Sequence, residues 1–268
     1  MTDQIPLGQA TNYPDRYSPD LLYAIARTDS REALGLRAEL PFQGCDIWNA
    51  WELTWLDDAG LPQVAVAEIL VPATSANIIE SKSLKLYLGS FAMSRFATPD
   101  DVAAAMRNDL CACTDSDVGI RLLTGGDAKA IEGFPGHCID GLDVPCDQYD
   151  VDSSLLSAGD QVVEEALHSH LLRSLCPVTN QPDIGSVLIS YRGPRIDPAG
   201  LLQYIVSFRN HNDFHEACVE RMFMNITERC EPEQLSVYAC YQRRGGIDIN
   251  PFRSNTEASP ANIRLWRQ

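Results

Sequence analysis

The chain has 268 residues, and 45% of them are hydrophobic, enough to bury a sizeable core as one large or two smaller domains and to set disorder aside. Its 37 acidic residues against 21 basic ones leave a net charge of -16, which disfavours attraction to a phosphate backbone, so no direct nucleic-acid binding is expected. No stretch approaches the roughly 18 apolar residues of a membrane span, and the opening MTDQIPLGQA lacks a basic-then-apolar leader, so a cytoplasmic protein with no membrane association is expected.

Residues 46–71 read as a hairpin, WNAWELTWL and QVAVAEILV, turned over Asp57, Asp58, Ala59 and Gly60. Next, ESKSLKLYLGSF sets Leu84, Tyr87, Leu88 and Phe91 at helical spacing. Thr98, Pro99 and Asp101 make a capping-box start for a second helix, DVAAAMRNDL, and VGIRLLT follows as a strand. Residues 125–161 are rich in Gly, Asp and Pro and read as a connector.

Beyond the connector the same order returns. HSHLLRSLCPV and GSVLISYRG read as strands, Asp197 and Pro198 start a helix, a longer helix covers residues 213–230, and LSVYACYQ is a strand. Two successive modules, placed at 1–135 and 136–268, therefore suggest an internal duplication of α+β class, with antiparallel sheets and paired helices.

Nine cysteines without a repeated CxxC argue against a disulfide framework or a structural zinc site, and reduced thiols are the simplest reading. Whether Cys111 and Cys113 have a redox role stays open. Cys176, followed by Pro177, falls where the chain leaves a strand, a place that suits an exposed reactive group, although an inert small hydrophobe is the commoner fate of a cysteine. Asp183 precedes the next strand and faces Cys176 across a short hairpin, or is an ordinary turn residue. In FRNHNDFHEACVERMF, Cys218, Val219, Met222, Phe223 and Ile226 form a buried helix face and leave His215 and Glu216 in the first turn, where the helix dipole alone accounts for a carboxylate.

Lys82 and Lys85 share a helix face near its start, and Arg243, Arg244, Gly245 and Gly246 join two charges to a flexible turn. Both patterns suit phosphate oxygens, and both occur as solvated surface. No GxGxxG or GxxxxGK[ST] is present. His168 and His170 alternate on one strand with no ligand partner nearby in sequence, so no metal site is assigned.

ESKSLKLYLGSF, SLCPVTNQPDIGS, FRNHNDFHE and RRGGIDINPFRS, in this order, resemble the long, two-module form of the QueF family across nearly the whole chain. The resemblance implies two tandem tunnelling-fold (T-fold) modules like those of GTP cyclohydrolase. It implies reduction of 7-cyano-7-deazaguanine to 7-aminomethyl-7-deazaguanine with two NADPH as co-substrate and no metal, toward queuosine in tRNA. Cys176 is then the nucleophile that forms a thioimide, Asp183 moves protons, and His215 assists. Ile79, Glu80, Ser81, His215 and Glu216 correspond to the substrate-binding set. Ser81, Lys82, Arg244 and Gly245 correspond to NADPH contacts, with Lys85 and Arg243 near enough in sequence to help. The resemblance also implies that Glu80 and the second-module residues converge and that the protein is a homodimer.

Two other readings remain at this stage. A T-fold hydrolase resembling GTP cyclohydrolase would use a zinc-bound water, but its Cys and His ligands are not recognisable here. A non-enzymatic deazapurine-binding module would need Glu80 and Glu216 but not Cys176 or Asp183.

Overall fold

The computed structural model describes residues 13–36, 39–127 and 130–268. The chain is mixed α and β, dominated by antiparallel sheet, and divides into two compact units. Among the described residues one comprises 13–29, 46–127, 130 and 243–248, the other 30–36, 39–45, 131–242 and 249–268.

In the first unit β2 (Gln43–Leu56) and β3 (Pro62–Pro72) form the expected hairpin, with β5 (Gly119–Leu123) antiparallel to β3. The hairpin turns where Gly60 adopts φ +86° and the Asp57 carboxylate accepts from the Leu61 amide. Two short strands, β1 (Ala24–Ala26) and β4 (Asn77–Ile79), pair antiparallel. They were not legible in the sequence, because three residues are too few to display alternation. Helices α2 (Ser81–Ser90) and α3 (Pro99–Thr114) bury Leu84, Tyr87, Leu88, Val102, Met106 and Leu110, and Phe91 at the end of α2 is buried with them. Thr98 and Asp101 close the capping box reciprocally, which satisfies donors that a helix start leaves open. A buried pair, Arg27 with Asp46 at 2.5 Å, compensates two charges taken out of water.

A short helix, α1 (Thr28–Ala33), follows β1. In the second unit β6 (His137–Cys138) lies parallel to β7 (Ala158–Leu175), which pairs antiparallel with β8 (Pro182–Ile196). β8 pairs with β9 (Gln234–Tyr241), and β9 with β10 (Ile247–Ser254). β7 starts well before the hydrophobic stretch at residue 168, since its first half is exposed and carries Asp160, Glu164 and Glu165. β8 likewise starts at Pro182, so Asp183 lies within the strand rather than ahead of it. Asp197 caps α4 (Pro198–Ser207) through the Gly200 amide at 3.0 Å. α5 (His215–Cys230) buries Cys218, Val219, Met222, Phe223 and Ile226.

Glu220 on α5 receives both Arg253, which is fully buried, and Arg31 at 2.8–3.0 Å. Gly44 is required beside this cluster, because a Cβ there would stand 2.0 Å from the Phe252 carbonyl oxygen. Apart from the three-residue β4 between β3 and α2, the order strand, strand, helix, helix, strand occurs twice: β2, β3, α2, α3, β5, and then β7, β8, α4, α5, β9.

Candidate active site

Across the β7–β8 hairpin Ser174 pairs with Asp183 and Leu175 with Pro182. Cys176 follows at once, its amide donating to the Gln181 carbonyl and its carbonyl accepting from the Asn180 amide, each at 2.9 Å. Alternation along an extended chain puts Cys176 on the same side of the hairpin as Ser174 and Asp183. The side chain is buried, 7% exposed, where exposure was expected.

The segment before α5 is tied to this hairpin end. The Leu175 amide donates to the His211 carbonyl at 2.8 Å, and the Asp213 amide donates to the Leu175 carbonyl at 3.2 Å. His215, the first residue of α5, is thereby held with Nε2 3.2 Å from Asp183 Oδ2, close enough for an ion pair but off the line of a hydrogen bond. Its ring stacks on Tyr241 at 3.8 Å and 15°. Tyr241 in turn lies over Gly185, where a Cβ would approach the ring to 3.1 Å. The glycine of QPDIGS therefore makes room for the aromatic that carries the histidine.

Ser174, Cys218 and Tyr241 interact with one another beside this stack. Burial is the leading cause that raises the Cys218 thiol and the Tyr241 phenol well above their ordinary values. Cys218 stays protonated and does not compete as a nucleophile. Glu216, one residue beyond His215, lies in the first turn as expected and is 4% exposed. Sequence reading placed Cys218 on the buried face of its helix but missed Tyr241 and Ser174, since nothing in LSVYACY or HSHLLRSL distinguishes a ring support from ordinary core.

In the first unit Glu80 is the N-cap of α2. Its Oε1 accepts from the Lys82 amide at 2.9 Å and its Oε2 from the Ser83 amide at 2.8 Å. Burial raises its carboxyl above the ordinary value, and the two backbone bonds oppose that shift. Ile79 is buried on β4, Ser81 is exposed at the first turn, and Lys82 is half-buried.

The RRGG sequence is a tight two-residue turn into β10. Arg244 and Ile247 exchange backbone bonds at 2.8 and 3.2 Å around Gly245 and Gly246, whose φ values of +60° and +85° need glycine. Lys85 from α2 lies against this turn, its Cδ 2.9 Å from where a Gly245 Cβ would stand, and Arg243 covers the Trp51 ring at 4.4 Å. Two basic motifs far apart in sequence are therefore neighbours within one unit.

All nine cysteines are free thiols. Burial pushes Cys113 up to about 11, which leaves it protonated and unreactive at neutral pH.

Residues 13–122 match the family model described as nitrile reductase, 7-cyano-7-deazaguanine-reductase N-terminal, and residues 182–260 match that of the QueF-like protein. The NADPH-dependent 7-cyano-7-deazaguanine reductase of Paraburkholderia xenovorans (strain LB400) is 52% identical over 271 residues, covering 99% of each chain. The enzyme of the same description from Burkholderia multivorans (strain ATCC 17616 / 249) is 53% identical over 268 residues, covering 98% of each. Identity of this order along the full length, with Cys176, Asp183, His215 and Glu216 set about one hairpin end, means that the chain belongs to the QueF family of nitrile reductases.

Proposed function

We propose that the protein reduces the nitrile of 7-cyano-7-deazaguanine to the aminomethyl group with two NADPH, through a thioimide on Cys176, as a step toward queuosine in tRNA. The observation that carries this reading is the 3.2 Å approach of His215 Nε2 to Asp183 Oδ2 at the end of the hairpin that bears Cys176. A nitrile is a poor hydride acceptor. Addition of the Cys176 sulfur to its carbon, with the thiol proton passed through Asp183 to the nitrogen, gives a C=N carbon that accepts hydride readily. After the first hydride the C–S bond breaks, the electron pair returns to sulfur, and the resulting imine takes the second hydride. His215 holds the Asp183 carboxylate in place and supplies a second proton-carrying group.

Glu216 is the acceptor for the N–H donors of the guanine-like edge, and Glu80, Ile79 and Ser81 complete base recognition. Ser81, Lys82, Lys85, Arg243, Arg244 and Gly245 hold NADPH. This reading is supported by the contact of Lys85 with the Gly245 turn, which concentrates cationic charge as phosphate binding requires. The repeated element order supports two tunnelling-fold modules, one on each side of the connector 125–161. The protein acts in the cytoplasm as a homodimer, without binding nucleic acid.

Mixing protein and nitrile without NADPH should give an intact mass equal to protein plus substrate, because addition expels no leaving group. Cys176→Ala should give no adduct and no loss of nicotinamide absorbance. An adduct that persists in Cys176→Ala, or turnover by that variant, refutes the thioimide.

A further inference from the structure

His168 and His170 are two apart on β7 and share one face of the strand, their ring centroids 5.4 Å apart. The sequence places no third ligand near them, but the fold does. β6 runs parallel to β7 with Cys138 in register with His168, and one ligand atom each from Cys138, His168 and His170 lies within 4.8 Å of the other two. Tetrahedral zinc, with bonds of about 2.0–2.3 Å to nitrogen and sulfur, closes such a set with only small side-chain movements.

The hydrogen bonds of both rings point the same way. The His168 Nδ1 lies 3.0 Å from the Pro135 carbonyl, which only accepts, so Nδ1 carries the proton and Nε2 keeps the lone pair that a metal needs. The His170 Nδ1 is engaged by the Ser186 hydroxyl at 2.8 Å, leaving its Nε2 for the ligand role as well. Outer partners of this kind fix the ring orientation of metal-ligating histidines.

The close approach of the two strands depends on Gly136. Its φ is +79°, and a Cβ there would stand 2.0 Å from the Ala166 carbonyl oxygen, so any other residue would push Cys138 away from the histidines. The backbone of His170 is also held, its amide by Asp140 and its carbonyl by Arg267 at 2.6 Å.

We propose that Cys138, His168 and His170 form a zinc-class metal site with three protein ligands and a fourth position open to solvent. Cys138 is exposed and His168 buried, so the metal would sit at the protein surface with its open side outward. Thiolate with two imidazoles selects a borderline-soft divalent ion such as zinc, and not magnesium or calcium, which prefer oxygen. The ion would clip the residues around β6 onto β7. It would take no part in nitrile reduction, whose residues are those around Cys176.

The test uses the full chain, stripped with a chelator and titrated with cobalt(II) or zinc(II) alone. The wild type should bind one equivalent, and the cobalt form should show the visible bands of a tetrahedral site and a near-ultraviolet thiolate-to-metal band. Cys138→Ser, a change at an exposed position that leaves the core intact, should lose the thiolate band. Ser186→Ala should weaken binding by roughly 10- to 100-fold through misorientation of His170. Zinc should raise the thermal midpoint of the wild type but not that of Cys138→Ser. A thiolate band that persists in Cys138→Ser, or a wild type that takes up no stoichiometric metal, overturns the site.

Discussion

Glu80 gives both carboxylate oxygens to amides of the helix it starts, whereas Glu216, one residue into α5, is buried in a helix whose N-cap, Phe214, offers no oxygen. The first arrangement is explained by its own turn of chain. The second is not explained by the helix dipole alone, which contributes at most about 2 kcal/mol where burial of a carboxylate costs more. The one is a cap whose partners lie in its own first turn, the other a carboxylate buried in the first turn of α5. Around Glu216 the second unit collects Cys176, Asp183 and His215, while the first unit collects the basic residues around Lys85.

The largest effect is expected at Asp183. If the second unit carries the proton transfers, Asp183→Asn should lower the single-turnover rate by about 10²- to 10⁴-fold while NADPH binding holds. A loss of NADPH affinity of similar size would instead mean a general defect of the fold. Glu216→Ala should weaken nitrile binding by about 2–3 kcal/mol, the scale of losing charge-assisted hydrogen bonds, which calorimetry reads directly. Unchanged affinity would return Glu216 to a structural role.

Glu80→Ala should show the opposite balance at the level of stability, costing about 0.5–2 kcal/mol in chemical denaturation as an N-cap. The pH dependence of that cost has a definite sign. Burial holds the Glu80 carboxyl above its ordinary value, so the fold prefers the protonated acid. That preference contributes fully below the unfolded value and is lost as pH rises through the folded one. The stability advantage of wild type over Glu80→Gln should therefore shrink on raising the pH through the carboxylate range. A widening advantage would mean that the backbone bonds from Lys82 and Ser83 outweigh burial.

Local signals were the legible ones. The hairpin turn at Gly60, the capping box at Thr98 and the Asp197 cap each rest on chemistry contained within about four residues, and each is present. The buried face of α5 was likewise legible, because helical periodicity reports burial directly. Contacts made by register were not. Tyr241 under His215, Cys138 beside His168 and Lys85 against Gly245 depend on which strand or turn lies next to which, and no spacing in one sequence encodes that. β10 escaped for a related reason: it is buried at every position, and its Asp248 and Arg253 are satisfied by partners far along the chain and its Asn250 by the Tyr241 amide, so its polar residues hid a core strand. Burial of Cys176 likewise depends on tertiary neighbours that no local spacing reveals.

The smallest effect is expected in the first unit. Lys85 is exposed, and its charge acts through solvent, where a single ion pair contributes about 0.2–1 kcal/mol. Lys85→Ala should therefore raise the Michaelis constant for NADPH only a few-fold, leave that for the nitrile unchanged, and lose its effect in high salt. Gly245→Ala probes the same contact from the other side. Its φ of +60° strains any other residue, and the new methyl would displace the Lys85 side chain from its present place. If the two act on NADPH as one arrangement, the double variant should be less impaired than the product of the single effects, a coupling that a double-mutant cycle measures. Strictly multiplicative effects would separate the turn from the lysine and leave Arg243 and Arg244 to carry phosphate recognition without it.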